Sequence, residues 1–474
     1  MFDPVIAPSG TLLGLLQRGR GDGTLHALTA PRAEALAALD HCVLDDPRHD
    51  WQVENRSLYY ARLYLDLNGE LDAIEAHLFD PEDALDTDEA RTGLALAVLG
   101  HLASYGRLDA LALLRRYAAG GANWAWALDE LALRDDDAGL RSLAAPVLAR
   151  FATDAEGEAE LAAAVRDAFE PRPWRLWAED PRESIATRVR AAHEAGSFDR
   201  WQRQMRPTGP RPGWSVQAVF DWAQQGLERG AALHVPAARC LSAVAGPEDR
   251  PEILRAARQG GDGARCTALR YLADGDDPDI LDLIEAAVSD GSTVVVEAAV
   301  DAFERMRGEA AVDRARGWAH RPDPLGAAAG RVLACRGETR DRELVLAALR
   351  EAVRGEGPDA ATLWTLVDGA GRLGIACAAP VLRHVYRETA SSHLRGRAAR
   401  ALAATDPSFP AGFAVECLWD CEETTRELAA RYAETGDTRV VEQLRRLAAD
   451  PAEEAEVQTA VRSRIGPEPD MPAV

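Results

Sequence analysis

Several stretches of this chain carry residue types that could do chemistry. The first is Gly14-Leu15-Leu16-Gln17-Arg18-Gly19-Arg20-Gly21-Asp22-Gly23. Backbone amides of a glycine-rich loop can cradle a phosphate, and a guanidinium can grip it with two parallel hydrogen bonds. The spacing matches neither the P-loop pattern nor a strand-preceded dinucleotide fingerprint. Arg18 and Arg20 are therefore candidate anion or partner contacts, with an ordinary flexible turn as the alternative. The second is Asn123-Trp124-Ala125-Trp126, followed by Asp129 and Glu130. Positions i and i+2 of a helix lie about 200° apart, so the two indoles cannot share one core stripe. An exposed indole beside two carboxylates suits an arginine, lysine or ammonium ligand; otherwise one ring packs inward and the other fills a groove between repeats.

The third is residues 171–214, which hold nine arginines against five acids, net +4, with four of the eleven tryptophans and six prolines. Arg172, Trp174, Arg175, Trp177, Trp201, Arg203, Arg206 and Trp214 could form a recognition element, since tryptophan and arginine dominate binding hot spots. The other reading is a linker whose tryptophans staple its neighbours together. Six acids fall within ten residues at Asp80, Glu82, Asp83, Asp86, Asp88 and Glu89, and Asp135-Asp136-Asp137 follows later. Such runs at turns are ordinarily solvated.

Metal and hydrolase chemistry find no support. Cys417 and Cys421 sit one helical turn apart, but no second cysteine or histidine pair completes a zinc set. Neither H-E-x-x-H nor G-x-S-x-G occurs. We expect no catalytic residue, no metal ligand and no cofactor. Seven scattered cysteines suggest free thiols in a reducing cytoplasm. The opening MFDPVIAPSG lacks a basic leader segment, and no run of 18 apolar residues occurs, so a cytoplasmic protein with no membrane association is expected.

The elements that must position these residues read as helices. Hydrophobic residues make up 47%, mostly alanine, leucine and valine, and aromatics only 6%, the composition of closely packed helices. All 54 basic residues are arginine, as high-GC codon usage would give, and 77 acids set the net charge at −23. That field repels phosphates and favours a basic protein or peptide partner, so nucleic acid is not the expected ligand; a surface kept acidic for solubility is the plainer explanation.

Repeats organise the chain. Asn68-Gly69-Glu70-Leu71-Asp72-Ala73 returns as Tyr105-Gly106-Arg107-Leu108-Asp109-Ala110, a spacing of 37. Each glycine follows one apolar-periodic helix and precedes a second, which makes helix, glycine cap, turn and helix the unit. Pro251-Glu252-Ile253-Leu254 returns as Pro278-Asp279-Ile280-Leu281 after 27 residues. Leu269, Phe303, Leu333, Leu366, Leu402 and Tyr432 anchor successive first helices at steps of 30 to 36.

Units such as GDGARCTALRYLADGDDPDILDLIEAAV and SSHLRGRAARALAATDPSFPAGFAVECL resemble bacterial HEAT repeats, in which A-R-x-x-A-L on a first helix precedes an Asp-rich turn. The resemblance covers roughly 58–118 and 235–449, with departures at Val294-Val295-Val296 and Trp364. It implies an all-α solenoid, a right-handed superhelix of two-helix repeats, divided here into two arrays with a central interruption. The divisions expected are an N-terminal cap at 1–57, a first array at 58–170, a connecting element at 171–214, a second array at 215–450 and a terminal cap and tail at 451–474. The family includes adaptors, scaffolds, lyase-like proteins and DNA-repair glycosylases, so fold alone does not select among them. A non-enzymatic scaffold using the concave face is the main expectation. The alternatives are a bilin-lyase-like protein and an alkylbase-glycosylase-like enzyme, for which Trp364 and Asp368, with Arg397 and Arg400, would be the residues.

Overall fold

The computed structural model describes residues 6–48, 51–81, 89–204, 213–289 and 292–465. They form 28 α-helices and short 3₁₀ turns, and no strand occurs among the described residues. The chain divides into two compact units. The first comprises residues 1–206, 389–399 and 408–474, and the second comprises 207–388 and 400–407. Residues 408–474, placed by sequence in a second array and its tail, belong to the unit built by the N-terminal half.

Helices begin where short polar side chains can cap them. Thr11, Asp136, Asp154, Ser215, Ser292, Asp323 and Asp437 each accept a hydrogen bond from a backbone N–H in the first turn. Pro324 directly follows its cap, where a missing N–H costs nothing. In the second unit, helices His234–Val244, Asp262–Asp274, Thr293–Arg305, Pro324–Arg336 and Leu363–Arg372 pack each on the next in the series. Helices Arg250–Gln259, Ile280–Ser289, Glu309–Trp318 and Arg342–Glu356 alternate with them in sequence. In the first unit Ser57–Asp66 packs on Glu89–Ser104, Glu89–Ser104 on Leu108–Gly120 and Trp124–Arg134, and Leu108–Gly120 on Trp124–Arg134 and Asp137–Leu148.

The repeated turn differs from its sequence alignment by one residue. At the end of Glu89–Ser104 the left-handed position is Gly106, φ 84°, and Arg107 N–H returns to Leu102 O. At the end of Ser57–Asp66 it is Asn68, φ 47°, and Gly69 N–H returns to Tyr64 O. Asparagine tolerates this backbone region better than most side chains. Asn68, not Gly69, is thus the structural counterpart of Gly106.

Arginines fasten successive helices. Arg188 donates to the carbonyls of Leu148, Phe151 and Ala152 at 2.9–3.0 Å, and Arg172 to those of Ala132 and Asp135 at 2.7 and 3.0 Å. Arg150 caps Ala119 and Gly121, Arg372 caps Ala334 and Gly337, and Arg464 caps Ala430 and Ala433. Each guanidinium reaches back 29 to 40 residues to carbonyls that the end of a helix leaves unsatisfied. A planar fork of donors meets two or three such oxygens at once.

Candidate functional site

The glycine-rich run near the N-terminus is helical and occupied. Leu12–Gln17 and Gly21–Thr29 are helices, with the left-handed Gly19 between them. Arg18 is buried and donates to Ala7 O at 2.6 Å and Gly14 O at 3.0 Å. Arg20 is buried and paired with Asp22 at 2.9 Å and Glu416 at 3.1 Å. Neither guanidinium faces solvent, which removes the anion-site expectation: in place of a phosphate, the protein's own carbonyls and carboxylates hold them.

The Trp124–Glu130 cluster is likewise filled from within. Both indoles are half-buried. Trp126 meets Trp51 with ring centroids 5.4 Å apart. Trp124 meets Phe151 at 5.7 Å and Trp174 at 6.4 Å, and the Arg150 guanidinium lies over it at 5.6 Å. The cation expected from a ligand is supplied by Arg150. Asp129 accepts the Glu170 N–H at 3.0 Å, and Glu130 pairs with Arg134 at 2.6 Å. Burial, with the Glu170 carboxylate adding to it, raises the Asp129 carboxyl to about 6, although the Glu170 N–H opposes the rise. Burial raises Glu130 to about 7 despite Arg134.

Segment 171–214 divides sharply. Trp174 and Trp177 are 2% and 0% exposed and meet edge to face at 4.9 Å, with the Trp177 indole donating to Leu140 O at 2.8 Å. They are core residues, a correction to the recognition reading: in helix Arg172–Ala178 the two face the interior three residues apart. Arg172 adds an ion pair with Asp137 to its carbonyl contacts, while Arg175 is exposed. Trp214 is half-buried against Trp222 at 5.4 Å. Trp201 and Arg203 fall on the last part of helix Glu183–Gln204, from residue 196 on, where only the backbone is described, and Arg206 lies outside the described residues.

Asp135 is buried against Arg115, Asp136 caps a helix, and Asp137 holds Arg172, so the aspartate triplet is structural. Of the earlier acid run, residues 82–88 lie outside the described residues. All seven cysteines are free thiols, Cys417 buried and Cys421 half-buried. Among the described residues no group of three or more His, Cys, Asp or Glu side chains could hold a metal ion. Trp364 and Asp368 are half-buried on helix Leu363–Arg372, Arg397 is half-buried and Arg400 is exposed.

A cluster that sequence spacing does not announce joins the two ends of the chain within the first unit. Arg395 grips Asp420 through two hydrogen bonds of 2.8 and 2.9 Å, both side chains fully buried. Cys421 N–H donates to Gly19 O at 2.9 Å. Arg426 holds Glu453 at 2.7 and 2.9 Å. Arg62 reaches Asp450 and Glu453, and Tyr105 OH reaches Asp450 at 2.8 Å. Burial pushes the Cys421 thiol up, with Asp420 adding to it, so it is no ready nucleophile. The partners lie more than 340 residues apart in sequence where they join the two ends, which no local motif could reveal.

Each unit carries an open groove between alternate helices. One of about 390 Å³ in the first unit runs along Asp72–Leu78 and Leu108–Gly120. Its two arginines are already neutralised, Arg107 by Asp109 and Arg116 by Glu75 at 2.7 Å, while exposed Glu70 and Asp72 make no ion pair among the described residues. Leu108 beside it is 77% exposed. A second groove, about 600 Å³, lies in the second unit among Gln217, Asp221, Gln224, Glu252, Arg255 and Gln259. Comparison with protein-family models, curated proteins and solved structures finds no match to this chain. Among the described residues no helix is long and apolar enough to cross a membrane.

Proposed function

We propose that this protein is a HEAT-type α-solenoid acting as a non-enzymatic scaffold for a protein or peptide with a basic, amphipathic surface. In the second unit the packing of each first helix on the next supports the solenoid reading, since repeat arrays contact only adjacent units, while the first unit departs from that pattern by the contacts that close it. The groove at Glu70–Arg116 carries the partner reading. Its guanidinium groups are committed internally, two carboxylates are left over, and an exposed leucine adjoins them. A lysine or arginine would find a counter-charge there and an aliphatic neighbour a contact. Elsewhere Arg250 is committed to Asp277 and Asp279 and Arg316 to Asp313 and Asp341, and the net charge of −23 disfavours phosphates.

Fluorescence anisotropy with three probes tests this: a Lys/Leu amphipathic peptide, its Glu/Leu counterpart and a short DNA duplex. Binding of the first alone, weakened by salt and reduced roughly three- to tenfold by Glu70→Gln with Asp72→Asn, is the expected result. Tight duplex binding with a steep salt slope would overturn the reading.

A further inference from the structure

Glu130 lies against Gly100 where helix Trp124–Arg134 crosses helix Glu89–Ser104. A Cβ at position 100 would stand 2.0 Å from Glu130 Oε2, so an alanine here would have to displace the carboxyl from this contact. The Glu130 side chain is 16% exposed with Oε2 buried, and its carboxyl is met by Arg134 Nη1 at 2.6 Å and by the Trp126 indole. Arg134 Nε in turn donates to Ser104 Oγ at 2.9 Å.

The charged groups around this contact are few. Its own helix brings Arg134 and Asp129; helix Glu89–Ser104 brings His101, which burial, Arg134 and Arg62 together lower to about 4, so it is neutral at ordinary pH. Arg62, from helix Ser57–Asp66, is held by Asp450 and Glu453. Helices Leu108–Gly120 and Arg172–Ala178 bring Arg115 and Arg172, held by Asp135 and Asp137. Arg134 is thus the cation in direct contact with Glu130.

We propose that this crossing is a proton-controlled joint, tight while Glu130 is protonated and looser once it ionises. Glu130 Oε2 is shut off from solvent at Gly100 without a well-aligned hydrogen bond, and one arginine at the rim offsets that loss incompletely. The sign follows: a carboxyl ordinarily near 4.5 that stays protonated to about 7 when folded gives a stabilisation present in full below 4.5 and lost as pH rises through 7. No ligand is needed, so the joint stands or falls independently of the scaffold reading.

Hydrogen exchange on the full chain, corrected for intrinsic rates, is compared between about pH 6 and pH 8 for wild type, Glu130→Gln and Gly100→Ala. The wild type should lose protection severalfold in 89–104 and 124–134 at the higher pH. Glu130→Gln should keep it at both, which separates Glu130 from Asp129, and Gly100→Ala should lack it at both. Carboxyl ¹³C NMR of the wild type should place the Glu130 midpoint near neutrality. A midpoint in the ordinary carboxylate range, or a pH dependence unchanged in Glu130→Gln, would overturn the proposal.

Discussion

Arg395 and Asp420 show what a buried charge does in this chain. Each is fully enclosed, and each supplies the other's counter-charge through two parallel hydrogen bonds. Desolvating the pair costs nearly as much as the attraction returns, so the intact pair contributes modestly, whereas half a pair is severely unfavourable. Asp420→Asn should therefore destabilise the first unit by about 3–5 kcal/mol, measured by urea unfolding, while Arg395→Met with Asp420→Leu should recover most of that loss. Single residues were poorly legible in the sequence. Trp174 and Trp177 look like surface hot spots because they sit among arginines and prolines, yet Arg172 reaches out to carbonyls, Arg175 is exposed and the indoles turn in. The composition of a segment reports what it contains, not which side of a seven-residue helix faces the core.

At the level of the helix, much could be read in advance. Asp and Ser caps, Pro324 in a first turn and the left-handed Gly106 all appear where their chemistry places them. The slip at Asn68 has a physical cause: asparagine and glycine can both occupy that backbone region, so the visible glycine is not always the residue that turns. The arginine forks were not legible. Their targets are backbone carbonyls, which have no sequence identity, one repeat away. Because a fork must satisfy several oxygens in one plane, Arg372→Lys should lose about 1–2 kcal/mol of stability in the second unit, read as a lower thermal midpoint, although the charge is kept. An equal midpoint would mean that charge alone suffices at that helix end. The chain's exclusive use of arginine, unremarkable as codon bias, has become structural in its consequences.

For the molecule as a whole, periodicity announced neighbour-to-neighbour packing but not the discontinuous first unit, because a repeat pattern specifies only adjacent contacts. Residues 408–465 complete that unit through Asp420, Asp450 and Glu453. A chain ending at residue 407 should lose the cooperative unfolding of residues 6–206, seen as rapid cleavage there by limited proteolysis, while residues 213–388 keep their protection. Equal resistance in both segments would show that the N-terminal helices are self-sufficient. The same closure explains why some candidate binding arginines were unavailable: Arg20 serves to hold the chain's own ends together.

That closure also sets a timetable. During synthesis the first 206 residues emerge about 200 residues before the segment that completes them, a delay of roughly 10–40 s at ordinary elongation rates. Over that interval Arg56 and Arg62 wait with their distal acceptors, Ala390 and Asp450, still untranslated. The middle of the protein is thus positioned to fold before its beginning, and slowing translation between residues 207 and 408 would lengthen the most aggregation-prone stage of its life.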